Sequence, residues 1–288
     1  MEPKEPKTFE EQMYLIKEKG FVINDEERCI NFLHNANYYR LSAYYLPFLD
    51  LRTGEYFKGV PFERVQRIYE FDQKLRSLVF GAIEEVEFYL RTQLAYHHAH
   101  AYGATGYLDA KSFNSTHDHA LFIKHVHACV EENRLSLVVK HHKNKYQGNF
   151  PLWVIIEYFS MGMLSYFYRD MITRDKKMLA TKLYGTTPLY VESWLRCLTD
   201  LRNKCAHYSR IYYWPFSATP KIPPDISYVA GRRVFAQLVM LRLLYPKTSS
   251  WNDNFFIPLK HLIAQYAEDI SLKHLDFPMT WEKFLKSK

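Results

Sequence analysis

Residues 62–100 read FERVQRIYEFDQKLRSLVFGAIEEVEFYLRTQLAYHHAH. The stretch holds no proline and one glycine, Gly81, and Val65, Ile68, Leu75, Val79, Ile83, Val86, Leu90 and Leu94 recur at three- and four-residue steps. That period is the turn of an α-helix, so Pro61 is expected to open one long helix or two nearly collinear ones. Its polar side is expected to carry Arg76, Glu84, Glu87 and Arg91. The two glutamates are expected in helix-face ion pairs worth a few tenths of a kcal/mol each.

Outward from this helix the same periodicity repeats. Upstream, residues 8–19 read as a short helix ended by Gly20, and Asn24 or Asp25 caps a second one through about His34. Asn37 caps a third, YYRLSAYYLPF, interrupted by Pro47, and DLRTGEYFKGV (50–60) reads as a turn or small hairpin. Downstream, Pro151 begins an apolar helix, PLWVIIEYFSMGMLSYFYRDM, in which Met161–Gly162–Met163 suits a close helix crossing. Pro215, Pro220, Pro223 and Pro224 mark a stiff exposed connector. Helices are expected at 228–245 and 258–274, and DFPMTWEKFL closes the chain. No strand alternation persists and no repeat is present. The expected fold class is all-α.

The chain has 288 residues, 48% apolar and 17% aromatic, enough for a substantial core. Its net charge of +7 weakly favours a polyanionic partner. Cys29, Cys129, Cys197 and Cys205 form no C-x-x-C pair, so neither a disulfide framework nor a zinc site is expected. The charged start, MEPKEPKTFEEQ, does not fit a secretory signal, and no apolar run reaches the ~18 residues of a membrane span. A cytoplasmic protein that does not engage membranes is expected.

The chemistry centres on residues 201–210, LRNKCAHYSR. The preceding residues form an amphipathic pattern, with Thr187 as N-cap, Pro188 at the first helical position and a helix expected over 188–211. Val191, Trp194, Leu198, Leu201, Cys205 and Tyr208 share the apolar face. Arg196, Asp200, Asn203, His207 and Arg210 line the opposite one, and Arg202 sits on the border. Arg202 and His207 suit gripping and protonating a phosphodiester; the bland reading is a solvated helix face. Glu84 or Glu87 would orient Arg202 if the two long helices pack antiparallel. Arg40, among four tyrosines, reads as an RNA stacking platform or as one solvated cation on a packing face. Nine of the 13 histidines fall within residues 97–142. They lack H-E-x-x-H and any cysteine or carboxylate at ligand spacing, so solvated histidines are expected there and no metal or other cofactor.

In that order, YYRLSAYYLPF, residues 62–96, PLWVIIEYFSMGMLSYFYRDM and SWLRCLTDLRNKCAHYSRIYY resemble the Abi-like (AbiD/AbiF-type) abortive-infection proteins of bacteria. The likeness runs from about Glu18 to Phe216, with DFPMTW resembling the family's tail. It implies a HEPN-type helical bundle over 59–216, flanked by helical regions at 1–58 and 217–288. The family's R-N-x-x-x-H signature falls on Arg202, Asn203 and His207. Tyr208 stands where the family commonly has a second histidine, and Tyr212–Tyr213 where Trp-Asn is usual. Because Tyr208 falls on the apolar side of the helical wheel, its substitution is expected to leave the chemistry intact.

What the resemblance implies is a metal-independent endoribonuclease acting as an abortive-infection or toxin component in phage defence. Arg202, Asn203 and His207 would be catalytic, and Arg210, Arg196, Arg40, Glu84 and Arg91 would bind RNA or support them. Two residues five apart on an ideal helix diverge by about 140°. A homodimer that sets the arginine of one chain beside the histidine of the other is therefore expected. The expected partner is RNA, as substrate and as a cognate non-coding antitoxin. The alternative is a non-catalytic module that holds a regulatory RNA, and a third reading is a docking scaffold.

Overall fold

Thr8 Oγ1 accepts the Glu11 N–H, Glu11 accepts the Thr8 N–H, and this capping box opens helix α1 (Phe9–Glu18). The computed structural model describes residues 5–287; the first four residues of the charged start lie outside them. Asp25 accepts the Arg28 N–H to open α2 (Glu26–Asn35), and Asn37 accepts the N–H groups of Tyr39 and Arg40 to open α3 (Tyr38–Ser42). A 3₁₀ turn, Ala43–Phe48, follows at Pro47. Residues 21–22 and 60–61 pair as a two-residue parallel ladder that tucks the N-terminal region against the start of the long helix.

That helix, α4 (Phe62–Tyr102), is one unbroken element of 41 residues ended by Gly103 at φ 84°. Next come α5 (His119–Glu132), α6 (Leu137–Tyr146), α7 (Leu152–Ile155), α8 (Met161–Asp170), α9 (Thr173–Tyr184), α10 (Pro188–Ala206) and α11 (Val234–Leu244). The chain closes with a π turn at Asn252–Phe256, a helix at Ile257–Gln265 and short turns at Leu272–Leu275 and Glu282–Leu285. The fold is all-α. Among the described residues, no helix is long and apolar enough to cross a membrane.

Buried side chains from Met13 to Leu285 form one core that draws on all three regions expected from the sequence. Leu75, Val79, Ile83, Val86 and Leu90 of α4 and Val191, Leu198 and Leu201 of α10 all belong to it, and the two helices pack on each other. Helix α11 is buried from Val234 through Leu241. Helix α8 packs on α10 near Gly162, where a Cβ would meet Thr199 Cγ2 at 3.9 Å, an ordinary contact, so the crossing does not depend on the glycine.

Several expectations are corrected. Residues 151–171 are not one helix: the chain extends at Phe159, and Ser160 caps a fresh start by accepting the Met163 N–H. Serine competes for backbone hydrogen bonds and so favours this break. The expected helix at 258–274 stops at Gln265, and the one at 228–245 begins only at Val234. Arg76 does not line a polar face; it is buried against Asp72. The histidines of 97–142 are not all solvated. His98 is buried between Tyr102, Phe113 and Phe167, and the His117 ring stacks on Phe113 and pairs with Asp170 at 3.0 Å.

Candidate active site

Helix α10 begins with Pro188 at its first position, although Thr187 makes no side-chain cap. It ends at Ala206 rather than 211, five residues short of expectation. The chain leaves it by a Schellman turn: the Tyr208 N–H reaches the Cys205 carbonyl at 3.1 Å and the Ser209 N–H reaches the Lys204 carbonyl at 2.8 Å. His207 is the C-cap, its N–H still bonded to the Asn203 carbonyl at 2.9 Å. Tyr208 takes the left-handed position at φ 56°, a place glycine usually fills. Its ring is exposed rather than on the apolar face, because residue 208 lies past the His207 C-cap and outside the helical wheel.

Helices α4 and α10 run antiparallel: Arg202 lies beside Glu87, while residues 211 and 212 lie beside Asp72. Glu87 Oε2 is 3.6 Å from Arg202 Nε, and Glu87 Oε1 accepts from Arg91 at 2.5 Å. Arg91 also donates to the carbonyls of Glu157 and Phe159 at 3.1 and 2.8 Å. Those carbonyls flank the break before α8, so the break supplies acceptors an intact helix would have used internally. Arg91 is thus clamped on three sides, and Glu87 bridges it to Arg202. Arg202 Nε is itself buried and has no hydrogen-bond partner among the described residues, while the side chain as a whole stays 31% exposed. Asn203 and His207 are exposed. Glu84 is exposed, one turn from Glu87.

The other expected RNA contacts divide. Arg196 projects from α10 into solvent. Arg40 donates instead to the Tyr208 carbonyl, and Arg210 donates to the Ala43 carbonyl at 2.6 Å. Burial pushes the Arg210 guanidinium below its ordinary pKa. The tyrosines around Arg40 pack mostly inward, with Tyr44 and Tyr45 fully buried and Tyr39 exposed. The two arginines therefore brace the turn that carries His207, because the chain folds back over residues 40–43 as it leaves α10.

Sequence reading missed the residue that fixes this exit. Asp72 is fully buried, and its Oδ1 accepts the N–H groups of Ile211 and Tyr212 at 3.1 and 2.7 Å. Its Oδ2 accepts from Tyr44 at 2.5 Å and pairs with Arg76. A signal was present: Asp72 and Arg76, four apart, interrupt the apolar stripe that contains Ile68, Leu75 and Val79. Tyr212 is buried, and its hydroxyl meets His274 Nδ1 at 2.8 Å and accepts the Ser271 N–H at 3.0 Å. Tyr213 lies under the Arg233 guanidinium at 4.0 Å. This tyrosine pair therefore ties the exit of α10 to the C-terminal segment.

All four cysteines are buried and unpaired. Among the described residues, no three His, Cys, Asp or Glu side chains gather as a metal-holding group. The arrangement offers a half-exposed guanidinium oriented by a carboxylate, an exposed amide and an exposed imidazole, all at the C-terminal end of one helix.

No curated protein and no solved structure matches the chain. Residues 31–213, well over half its length, match the family described as Abi-like protein, and they include every element that builds this site. The chain belongs to the Abi-like protein family.

Proposed function

We propose that the protein is a metal-independent endoribonuclease of the HEPN type, acting as an abortive-infection effector. The observation that carries this reading is the pairing of Arg202, half-exposed with its Nε beside Glu87, with an exposed His207 at the C-cap of the same helix. RNA carries its own nucleophile in the 2′-hydroxyl. A base takes that proton, the 2′-oxygen attacks phosphorus, and the bond to the 5′-oxygen breaks as an acid protonates the leaving alkoxide. The products are a 2′,3′-cyclic phosphate and a 5′-hydroxyl, and DNA is refractory. Histidine suits the proton transfers. Arginine stays charged and offers a planar fork to the phosphorane oxygens. Asn203, one turn before His207, hydrogen-bonds the imidazole or a phosphate oxygen.

His207 stays on the backbone ladder of α10, so its side chain leaves the helix about 140° from that of Arg202. One chain therefore addresses a phosphate poorly with both groups. A homodimer, with the guanidinium of one protomer beside the imidazole of its partner, resolves the geometry.

The test is incubation of wild type, Arg202→Ala and His207→Ala with labelled RNA in EDTA. Cleavage by wild type alone is expected. Binding by all three without cleavage would replace the enzyme with an RNA-holding module, for example one holding a non-coding antitoxin. A monomer in sedimentation that still cleaves RNA would remove the dimer.

A further inference from the structure

A cleft of about 820 Å³ opens between α8, α10 and the connector that follows residue 216. We infer that this cleft is an RNA subsite, which seats the single strand leading away from the scissile linkage at His207. The inference rests on the nuclease reading for its direction along α10, but the cleft has its own chemistry. Arg169, Arg196 and Lys221 line it. Its one lining carboxylate, Glu192, is neutralised by Lys176 at 2.7 Å. Arg169 lies over the exposed Tyr166 ring at 4.4 Å, and such a cation–aromatic pair presents a flat face to a base. Arg169 also pairs with Asp170 at 2.7 Å but stays half-exposed. No ion pair holds Arg196 or Lys221 among the described residues.

The cleft is built in advance. Buried Trp194 donates its indole N–H to the Lys221 carbonyl at 2.7 Å, and the Lys221 N–H reaches Ser193 Oγ at 3.0 Å. These two bonds pin the proline-bearing connector as one wall, so little ordering entropy opposes binding. The cleft also leads to the motif. Arg196, Asp200, Asn203 and His207 follow at steps of four, three and four, which places them along one side of α10. Arg196 and Asn203 are separated by roughly 10 Å of helix axis, a span of a few nucleotides. The intervening Asp200 carboxylate faces Lys204 at 3.8 Å and Ser217 at 3.4 Å, which offsets its repulsion of phosphate.

Arg169→Gln with Lys221→Gln tests this without touching the motif; both side chains line the cleft and are exposed, and the fold is checked by thermal unfolding. The probes are a ribodinucleotide, which covers only the scissile linkage, and a longer single strand with its 2′-hydroxyls removed for binding or retained for cleavage. The double variant is expected to bind and cleave the long strand about ten- to a hundredfold less well, with dinucleotide cleavage unchanged. The slope of log K against log salt should fall by about 1.4, from roughly 0.7 per phosphate contact on a single strand. Cleavage by wild type with no loss in the double variant overturns the subsite and leaves the nuclease standing. Weakened binding in the variant with no cleavage by wild type supports the subsite and removes the nuclease. No binding of any strand by wild type overturns both.

Discussion

Glu87 Oε2 lies 3.6 Å from Arg202 Nε, and the other oxygen of the same carboxylate holds Arg91. The half-buried anion orients the candidate catalytic guanidinium and also lowers the positive potential that an incoming phosphate meets. Glu87→Gln separates the two effects. RNA affinity should hold or rise, because a negative charge is removed. Turnover should fall by about fivefold, the scale of a close ion pair that makes no hydrogen bond. The kcat and KM values of the variant check this; a loss confined to KM would contradict it.

Asp72 holds four partners in a site closed to water. Asp72→Ala leaves Arg76 charged and two backbone N–H groups unpaired, which should cost about 3–5 kcal/mol. Tyr44→Phe removes one of the four bonds and should cost about 1 kcal/mol. Urea unfolding of both variants measures the difference. Equal losses would show that the ion pair does not dominate.

His98 is buried with both ring nitrogens unpartnered among the described residues, and burial pushes its pKa down to about 4. The unfolded chain, with histidine near 6.5, binds the proton more readily. The folded state is therefore favoured above about pH 6.5 and loses stability as pH falls toward 4, by roughly 3 kcal/mol in all. His98→Phe should flatten that part of the pH–stability curve. An unchanged slope would show that the ring is protonated in the fold.

Tyr208 sits at φ 56° with its ring in solvent. Tyr208→Gly relieves the left-handed strain and should raise stability by about 0.5–1 kcal/mol, net of glycine's added entropy in the unfolded chain. RNA cleavage should be preserved, since the Schellman turn and the Arg40 contact use only backbone atoms of residue 208. A large drop in cleavage with unchanged melting temperature would place the tyrosine ring on the substrate.

The local code was legible from the chain alone. Period placed α1 and α4, and Asn24 or Asp25, Asn37 and Pro188 marked where α2, α3 and α10 begin, because apolar spacing and such residues act within a few positions of themselves. The R-N-x-x-x-H letters were equally plain. Only the tertiary structure decided that α10 ends at Ala206, since Tyr208 is a poor left-handed residue held there by Arg40 and by the Asp72 anchor just beyond. It also decided that Glu87 rather than Glu84 meets Arg202, and that Arg40 and Arg210 serve backbone carbonyls. Those outcomes depend on partners more than 100 residues away. A pattern confined to one helix carries its own faces, but not which distant charge will be brought against them.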